Sequence, residues 1–469
     1  MNDNNKRLRE LEDENARLRA KIQKLEKLHT EEDLNSAKRV TYRYVPPTTS
    51  KPEKPKNVRM QTLNNIFKHT HTHTLQVDSD AVISHVFGDK VKGTVNIDYD
   101  YLEGFMKDTF VSYGVDPEDA EICADVLIAS DKRGIDSHGI GRLKPIYCER
   151  MDAKILKAKS KLTFVSQTPT TAVVDGDGGI GLSIGPKCMQ IAIDKAKTHG
   201  VGMVCVRNST HYGFAGYYGL MAADQGCIGI TGTNARPSIA PTYGVSPMMG
   251  TNPLVFGLPS SESFPFVIDC ATSVNQRGKI EKYAREGKST PPGAVISIDG
   301  KELTDSNLIL KMLVEKKCAM TPLGGAGDSM GGYKGYGYAA TVEILSAALQ
   351  GNNWGHALAD KYVENGETKR RPSLLGHFFL AIDISKFRDL NAFKSDVTKI
   401  LQGFRDSKKD PKYGGRIYTA GEPEHLAWAK RSNDGGTPVP PALQRQMIEL
   451  RDAFQDDTMR KKYAKFSFE

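Results

Sequence analysis

Two strings carry residue types that packing alone does not ask for: D-S-H-G-I-G-R at 136–142 and N-S-T-H-Y-G at 208–213. Each sets a histidine among glycines and hydroxyl side chains. Histidine is the side chain whose unperturbed pKa lets it trade a proton near neutral pH. Arginine offers a planar fork that grips a carboxylate through two parallel hydrogen bonds. Arg142 follows His138 by four residues, so the first string holds both groups. Together the strings suit proton transfer at a hydroxyl beside a fixed carboxylate, which is what oxidation of a 2-hydroxy acid demands.

Such loops need elements to hold them. Residues 99–131 show helical spacing, with Leu102, Phe105 and Met106 followed by Ala120, Cys123, Ala124 and Ile128. From Leu162 onward short β-rich runs alternate with helical stretches: L-T-F-V, T-A-V-V, V-G-M-V-C-V, I-G-I-T-G, L-V-F-G-L and P-F-V-I-D. That alternation predicts an α/β body. Lys334 opens a glycine-rich turn followed by a buried helix, A-A-T-V-E-I-L-S-A-A-L. The run G-H-F-F-L-A-I-D from Gly376 returns to strand, and 385–404 is mostly helical.

The 469 residues allow two or three domains. Three segments are expected: a coiled-coil helix at 1–30, a low-complexity tether at 31–92 and a catalytic body at 93–469. In the first, Leu8, Asn15 and Ile22 fall at heptad position a, with Leu11, Leu18 and Leu25 at d. A parallel homodimer would pair Arg7 with Glu12, Glu14 with Arg19 and Lys21 with Glu26, and a buried Asn favours two strands. Only seven residues precede the first a position, too few for a basic recognition helix. The tether holds P-P-T-T-S-K-P-E-K-P-K and the tract H-T-H-T-H-T, both read as low-complexity sequence.

Charge and cysteines narrow the class. Residues 1–60 hold 15 Lys and Arg against 10 Asp and Glu, so +5 of the net +8 lies there. The nearly balanced remainder argues against a nucleic-acid enzyme. The seven cysteines are scattered and form no C-x-x-C pair, so neither a disulfide framework nor a metal site is expected. No apolar run approaches a membrane span, and the N-terminus resembles neither a secretory signal nor a transit peptide. A cytoplasmic, reduced protein follows.

Gly176-Asp-Gly178-Gly-Ile-Gly181 matches the dinucleotide fingerprint G-x-G-x-x-G. Two details oppose a Rossmann site. No acidic residue closes the next strand, which ends in Arg207, and Pro186 delays the following helix. The glycine-rich loop from Gly324 lacks the Lys-Ser/Thr ending of a phosphate loop, although Lys334 is a candidate for a cofactor phosphate or ribose contact.

Taken in order, eleven strings resemble the malate/L-lactate dehydrogenase family of the second, non-Rossmann type, over residues 92–455. They are R-G-I-D-S-H-G-I-G-R, V-D-G-D-G-G-I-G, N-S-T-H-Y-G-F-A-G-Y-Y, T-N-A-R-P, G-T-N-P-L-V-F, I-D-C-A-T-S, R-G-K, P-L-G-G, Y-K-G-Y-G, G-H-F-F-L-A-I-D and G-E-P-E. Relatives include sulfolactate, ureidoglycolate and diketogulonate dehydrogenases and a cyclic-imine reductase. The resemblance implies a non-Rossmann nicotinamide-binding fold on a largely antiparallel sheet and an intimate homodimer; the coiled coil lies outside the resemblance and is a separate route to a higher oligomer. It implies His211 as proton donor and acceptor, with Ser137, His138 and Arg142 on the substrate. On the cofactor, NAD ahead of NADP, it places Asp269, Cys270, Ala271, Lys334, Gly421 and Glu422. The family often has Ser or Thr where this chain has Ala235, and the loop at 324–332 is longer than usual.

The expected function is therefore interconversion of a 2-hydroxy acid and a 2-oxo acid, malate first and lactate next. A second carboxylate needs another cation, for which Arg236 is a candidate. Asp269 is a candidate to orient a histidine. His85, His199, His356 and His425 read as surface or packing residues. The alternatives are a cyclic-imine reductase on the same scaffold and an inactive dimeric scaffold.

Overall fold

The computed structural model describes residues 91–469, apart from 365, 413, 414, 465 and 467. The expected coiled coil, the His-Thr tract and all but the last two residues of the tether lie outside the described residues.

Asp98 starts the first long helix, because its carboxylate accepts from the amides of Asp100 and Tyr101 and so satisfies two otherwise free donors. In α1 (Tyr99–Ser112) Leu102, Phe105, Met106 and Phe110 fall on one face and are fully buried. Each such side chain contributes roughly 2 kcal/mol of apolar burial. The helical stretch breaks at 113–116, then α2 (Pro117–Lys132) resumes on a proline, whose missing N–H is harmless in a first turn.

The centre is a seven-stranded sheet. Its strands are β1 (Thr163–Gln167), β2 (Thr171–Asp175), β3 (Val201–Ser209), β4 (Cys227–Thr233), β5 (Leu254–Leu258), β6 (Phe266–Cys270) and β7 (Leu375–Asp383). Their spatial order is β1-β2-β3-β7-β4-β5-β6. Only β2 and β3 run parallel; the other neighbours are antiparallel, as the family resemblance implied. A parallel pair requires a crossover, and α3 (Gly181–His199) supplies it. The helix begins at the third glycine of the fingerprint rather than at Pro186. That corrects one objection raised from sequence: Pro186 sits inside the helix, in its second turn, and does not delay its start.

Strand alternation sends side chains to two cores. Val204, Val206 and Phe379 face the main core with α2, α3 and α4 (Gly216–Asp224). Their neighbours Cys205 and Phe378 face the other side, against Val342. A smaller lobe packs α5 (Arg277–Arg285) and α6 (Ser306–Val314) around Ile280, Val295, Ile309 and Met320.

Val342 belongs to α7 (Gly332–Ala347), the helix expected to be buried. Only one of its faces is. Tyr333, Tyr338 and Ile344 stand exposed on the other, since the sheet can cover just one side of a helix. Beyond β7 come α8 (Leu390–Arg405), α9 (Glu422–Asn433) and α10 (Pro441–Asp452). Edge-to-face contacts of Phe105 with Tyr463 and Phe466 tie the C-terminal end to α1.

Candidate active site

His211 lies just past the end of β3, and the fingerprint turn braces it. Thr210 Oγ1 donates to the Gly179 carbonyl at 2.8 Å and accepts from the Gly181 amide at 3.1 Å. Any Cβ at Gly181 would sit 2.3 Å from the Thr210 carbonyl oxygen and 2.6 Å from that of His211, so only glycine fits. The turn's amides are already committed. Gly176 donates to the Arg207 carbonyl at 2.9 Å, Gly178 to that of Asn208 at 2.7 Å, and Gly179 to that of Gly176 at 2.9 Å. Asp177 donates to its neighbour Asp175 at 2.9 Å. A phosphate nest needs such amides free.

The His211 ring is held from the other side by the helical stretch at 143–152. Tyr147 Oη lies 2.7 Å from His211 Nδ1, and the Gly213 amide approaches the same nitrogen at 3.3 Å. His138 stacks nearly parallel to His211, with centroids 5.6 Å apart. Burial first, then the charges of His138, Arg150 and Arg142, push the His211 pKa well below its ordinary value. At neutral pH the ring is uncharged. Burial, with Arg142, lowers His138 to about 4; its Nδ1 sits 2.8 Å from Ser137 Oγ. Arg142 Nε in turn donates to the Ser137 carbonyl. Sequence thus brought together Ser137, His138, Arg142 and His211, and all four meet.

Arg150 follows Tyr147 at helical spacing and reaches Asp360 at 3.6 Å, while Arg236 pairs with the other oxygen of Asp360 at 2.9 Å. Asp360 therefore bridges two arginines beside the site, and its carboxyl is held below the usual range.

A cleft opens from Ser137 and His138. One wall is the turn into α4, from Gly213 to Gly216; another is Val267 and Asp269 of β6 with Ala271 just after it. Its far end is Phe264 and the α9 residues Glu424, His425 and Trp428. Asp269 Oδ2 accepts from the Gly216 amide at 2.7 Å, capping α4. Its partner is a backbone amide, and the group on His211 is Tyr147. The expectation that Asp269 orients a histidine is thus replaced. Burial raises Asp269 to about 6, against the pull of that amide.

The remaining cofactor candidates separate. Strand alternation turns Cys270 away from Asp269, its Sγ 3.8 Å from the Leu254 carbonyl. Gly421 lines the cleft with φ +89° and a Cβ position 2.8 Å from the Pro265 carbonyl. Glu422 turns inward, accepting from Arg405 Nε at 3.2 Å and the Thr419 amide at 3.1 Å and pairing with Arg416. Lys334 is exposed in the first turn of α7, over the Tyr333 ring, and is not among the residues lining the cleft.

Three residues escaped the sequence reading. Tyr147 had no signal beyond its place five residues after Arg142. His377 was quoted only as part of a strand; it is fully buried, bonded to Thr233 Oγ1 at 2.7 Å and stacked on Tyr212. His425, taken as a surface or packing residue, lines the cleft with its ring stacked on Phe264 and Nε2 3.1 Å from Ser263 Oγ.

Comparison with known proteins identifies the family. The family model described as malate/L-lactate dehydrogenase matches residues 97–448. The malate dehydrogenase of Pyrococcus horikoshii is 40% identical over 345 residues, covering 72% of this chain and 92% of that protein. The L-sulfolactate dehydrogenase of Methanocaldococcus jannaschii is 35% identical over 343 residues, covering 73% and 92%. The crystal structure of malate dehydrogenase from Entamoeba histolytica superposes with a TM-score of 0.73 at 41% identity, over 77% of this chain and 99% of that one. On the family-model match and these likenesses in sequence and fold, this chain belongs to the malate/L-lactate dehydrogenase family.

Proposed function

We propose that the protein is a nicotinamide-dependent dehydrogenase that interconverts a 2-hydroxy acid and its 2-oxo acid, with malate the first candidate substrate. The observation that carries this reading is the neutral His211, fixed through Nδ1 by Tyr147.

The cleft suits a dinucleotide. Its lining is more apolar than polar, and it offers ring surfaces at Phe264 and Trp428 and the positive end of α4 along one wall. Asp269, Ala271 and Gly421 would hold the cofactor directly, with Cys270 and Glu422 shaping the backbone behind them; Lys334 would need to reach in from its exposed turn. When bound, the nicotinamide supplies the hydride acceptor or donor. NAD is favoured over NADP as the first to test.

The chain's own residues do the rest. Nδ1 of His211 is occupied, which leaves Nε2 for the substrate. In oxidation the Nδ1–H tautomer of His211, donating to Tyr147 Oη rather than accepting from the Gly213 amide, takes the hydroxyl proton at Nε2. In reduction the same proton returns to the oxygen. Arg142 grips the C1 carboxylate, while Ser137 and His138 complete the polar pocket. Arg150 and Arg236 give the site a surplus of positive charge that Asp360 only partly balances, and this favours a dianion over lactate. Two of the relatives are named for dianionic substrates, malate and sulfolactate. If Arg236 reads the second acidic group, Arg236→Ala lowers kcat/KM for oxaloacetate several-fold more than for pyruvate, roughly 1 kcal/mol. Equal losses would assign the second group elsewhere.

The exposed apolar face of α7 supports a homodimer, with a second copy covering Tyr338 and Ile344. Seven unpaired cysteines suit a reducing, cytoplasmic setting. The deciding assay follows NADH and NADPH oxidation with oxaloacetate, sulfopyruvate and pyruvate, beside His211→Ala. Turnover that falls roughly 10²–10⁴-fold in the variant is expected. A folded wild-type chain without turnover on any of the three acids would sink the reading.

A further inference from the structure

The loop presenting Ser137 and His138 is pinned at both ends by one knot built on the buried Arg431 and Asp131 and the half-exposed Asp136, and that knot reaches the far side of the cleft. Arg431 of α9 forks onto Asp136, with its two terminal nitrogens 2.6 and 2.8 Å from the two carboxylate oxygens. The same guanidinium donates to the Asp131 carbonyl at 2.5 Å. The Asp131 carboxylate, itself buried, accepts from the Ile140 amide at 2.8 Å at the other end of the loop. Arg431 is 3% exposed, and its charge is compensated by this fork together with the nearby Asp131.

α9 is also a wall of the cofactor cleft. Glu424 and Trp428 line the cleft, and Arg431 follows seven and three residues after them, along the same face of the helix. Trp428 lies over the Arg133 guanidinium at 4.7 Å, a second contact from α9 onto the end of α2. A rigid helix thus carries cofactor-side residues at one end and grips the substrate loop at the other.

We propose that the Arg431–Asp136 fork is a positioning pair that couples occupancy of the cofactor cleft to the loop bearing Ser137 and His138. Filling the cleft against Glu424 and Trp428 fixes α9, and α9 fixes Asp136 and the substrate loop behind it. Linkage makes the coupling reciprocal: an acid bound at the loop tightens the dinucleotide by the same factor. The inference rests on the dehydrogenase reading of the site.

The test is calorimetric and needs no turnover. Oxalate, a dicarboxylate with no carbonyl to reduce, is titrated into the full chain with and without saturating oxidised dinucleotide, beside Asp136→Asn and Arg431→Lys. In the wild type the dinucleotide is expected to tighten oxalate roughly 10-fold. In both variants that synergy falls to about twofold or less, while the dinucleotide's own Kd measured alone stays within about twofold. Synergy that survives in the variants overturns the proposal. So does joint loss of dinucleotide affinity and synergy, or failure of both variants to fold, because either marks the fork as plain support. A wild type that binds both ligands independently rejects the coupling and keeps the site; a wild type that binds neither rejects the site as well.

Discussion

Two strand–turn–helix units lie side by side in this sheet, and only one of them is built for chemistry. β2 leads through the G-x-G-x-x-G turn into α3, and β3 leads through T-H-Y-G-F-A into α4. The first has the more familiar composition. Yet its amides at Gly176, Asp177, Gly178, Gly179 and Gly181 all donate to protein oxygens, and its third glycine presses on the backbone of Thr210 and His211. The second unit opens onto the cleft and carries the ring that Tyr147 fixes. Glycine spacing permits a phosphate site; where the N–H groups go decides whether there is one.

The largest effect that would sharpen this contrast falls on the loop facing the second turn. Arg142→Ala should lower kcat/KM for the 2-oxo acid roughly 100-fold, mainly through KM, because it removes a charge-assisted grip in a partly buried site. Retained activity would place carboxylate binding on Arg150 or Arg236 instead. The next effect is one of pH. The His211 pKa is depressed, so the unprotonated ring dominates above pH 6.5. Reduction needs the protonated ring, and that fraction falls tenfold per pH unit above its pKa. Initial-rate profiles should show kcat/KM for reduction dropping roughly tenfold per unit from pH 6.5 to 8, with oxidation flat over the same range. Parallel profiles in both directions would remove His211 from the proton transfer.

Tyr147→Phe sharpens the comparison further. It deletes one hydrogen bond, worth about 1 kcal/mol, and keeps the ring that packs on Phe110. A fall of about fivefold in kcat with KM little changed is expected from steady-state kinetics. A change confined to KM would mean that Tyr147 touches substrate rather than positions His211.

How much of this was legible beforehand depended on distance along the chain. Ser137, His138 and Arg142 share one short loop, so their grouping could be read from spacing. The join between His138 and His211 rested on chemistry and on family resemblance, and the stacked rings agree with it. Tyr147 and His377 reach the site's surroundings through the fold alone, and no local pattern announces them. Sequence neighbours among the candidates were separated by the face they occupy. Cys270 and Asp269 alternate on a strand, so Asp269 lines the cleft while the Cys270 thiol faces Leu254. Glu422 and Glu424 sit two apart on a helix, about 200° around it; the inner one became an anchor for Arg405 and the outer one a cleft wall. A sequence gives the helix but not its rotation about its axis, which the packing of Ala427 and Arg431 sets.

The smallest predicted effect cuts most directly at the comparison of the two turns. Gly178 holds φ +71°, and a Cβ there meets nothing closer than 3.7 Å, from Leu374. Gly178→Ala therefore introduces backbone strain without a clash. The strain costs about 1 kcal/mol, or a drop of roughly 2 °C in Tm by calorimetry. If the turn is only a brace, the Kd for NADH from fluorescence titration stays within about twofold, since the added methyl sits outside the cofactor cleft. If the fingerprint does cradle a pyrophosphate, the methyl stands where the backbone must approach the ligand, and NADH affinity falls much further than Tm. The two readings thus move different instruments, and a tenfold loss of NADH binding in a protein that melts almost normally would return the cofactor to the first turn.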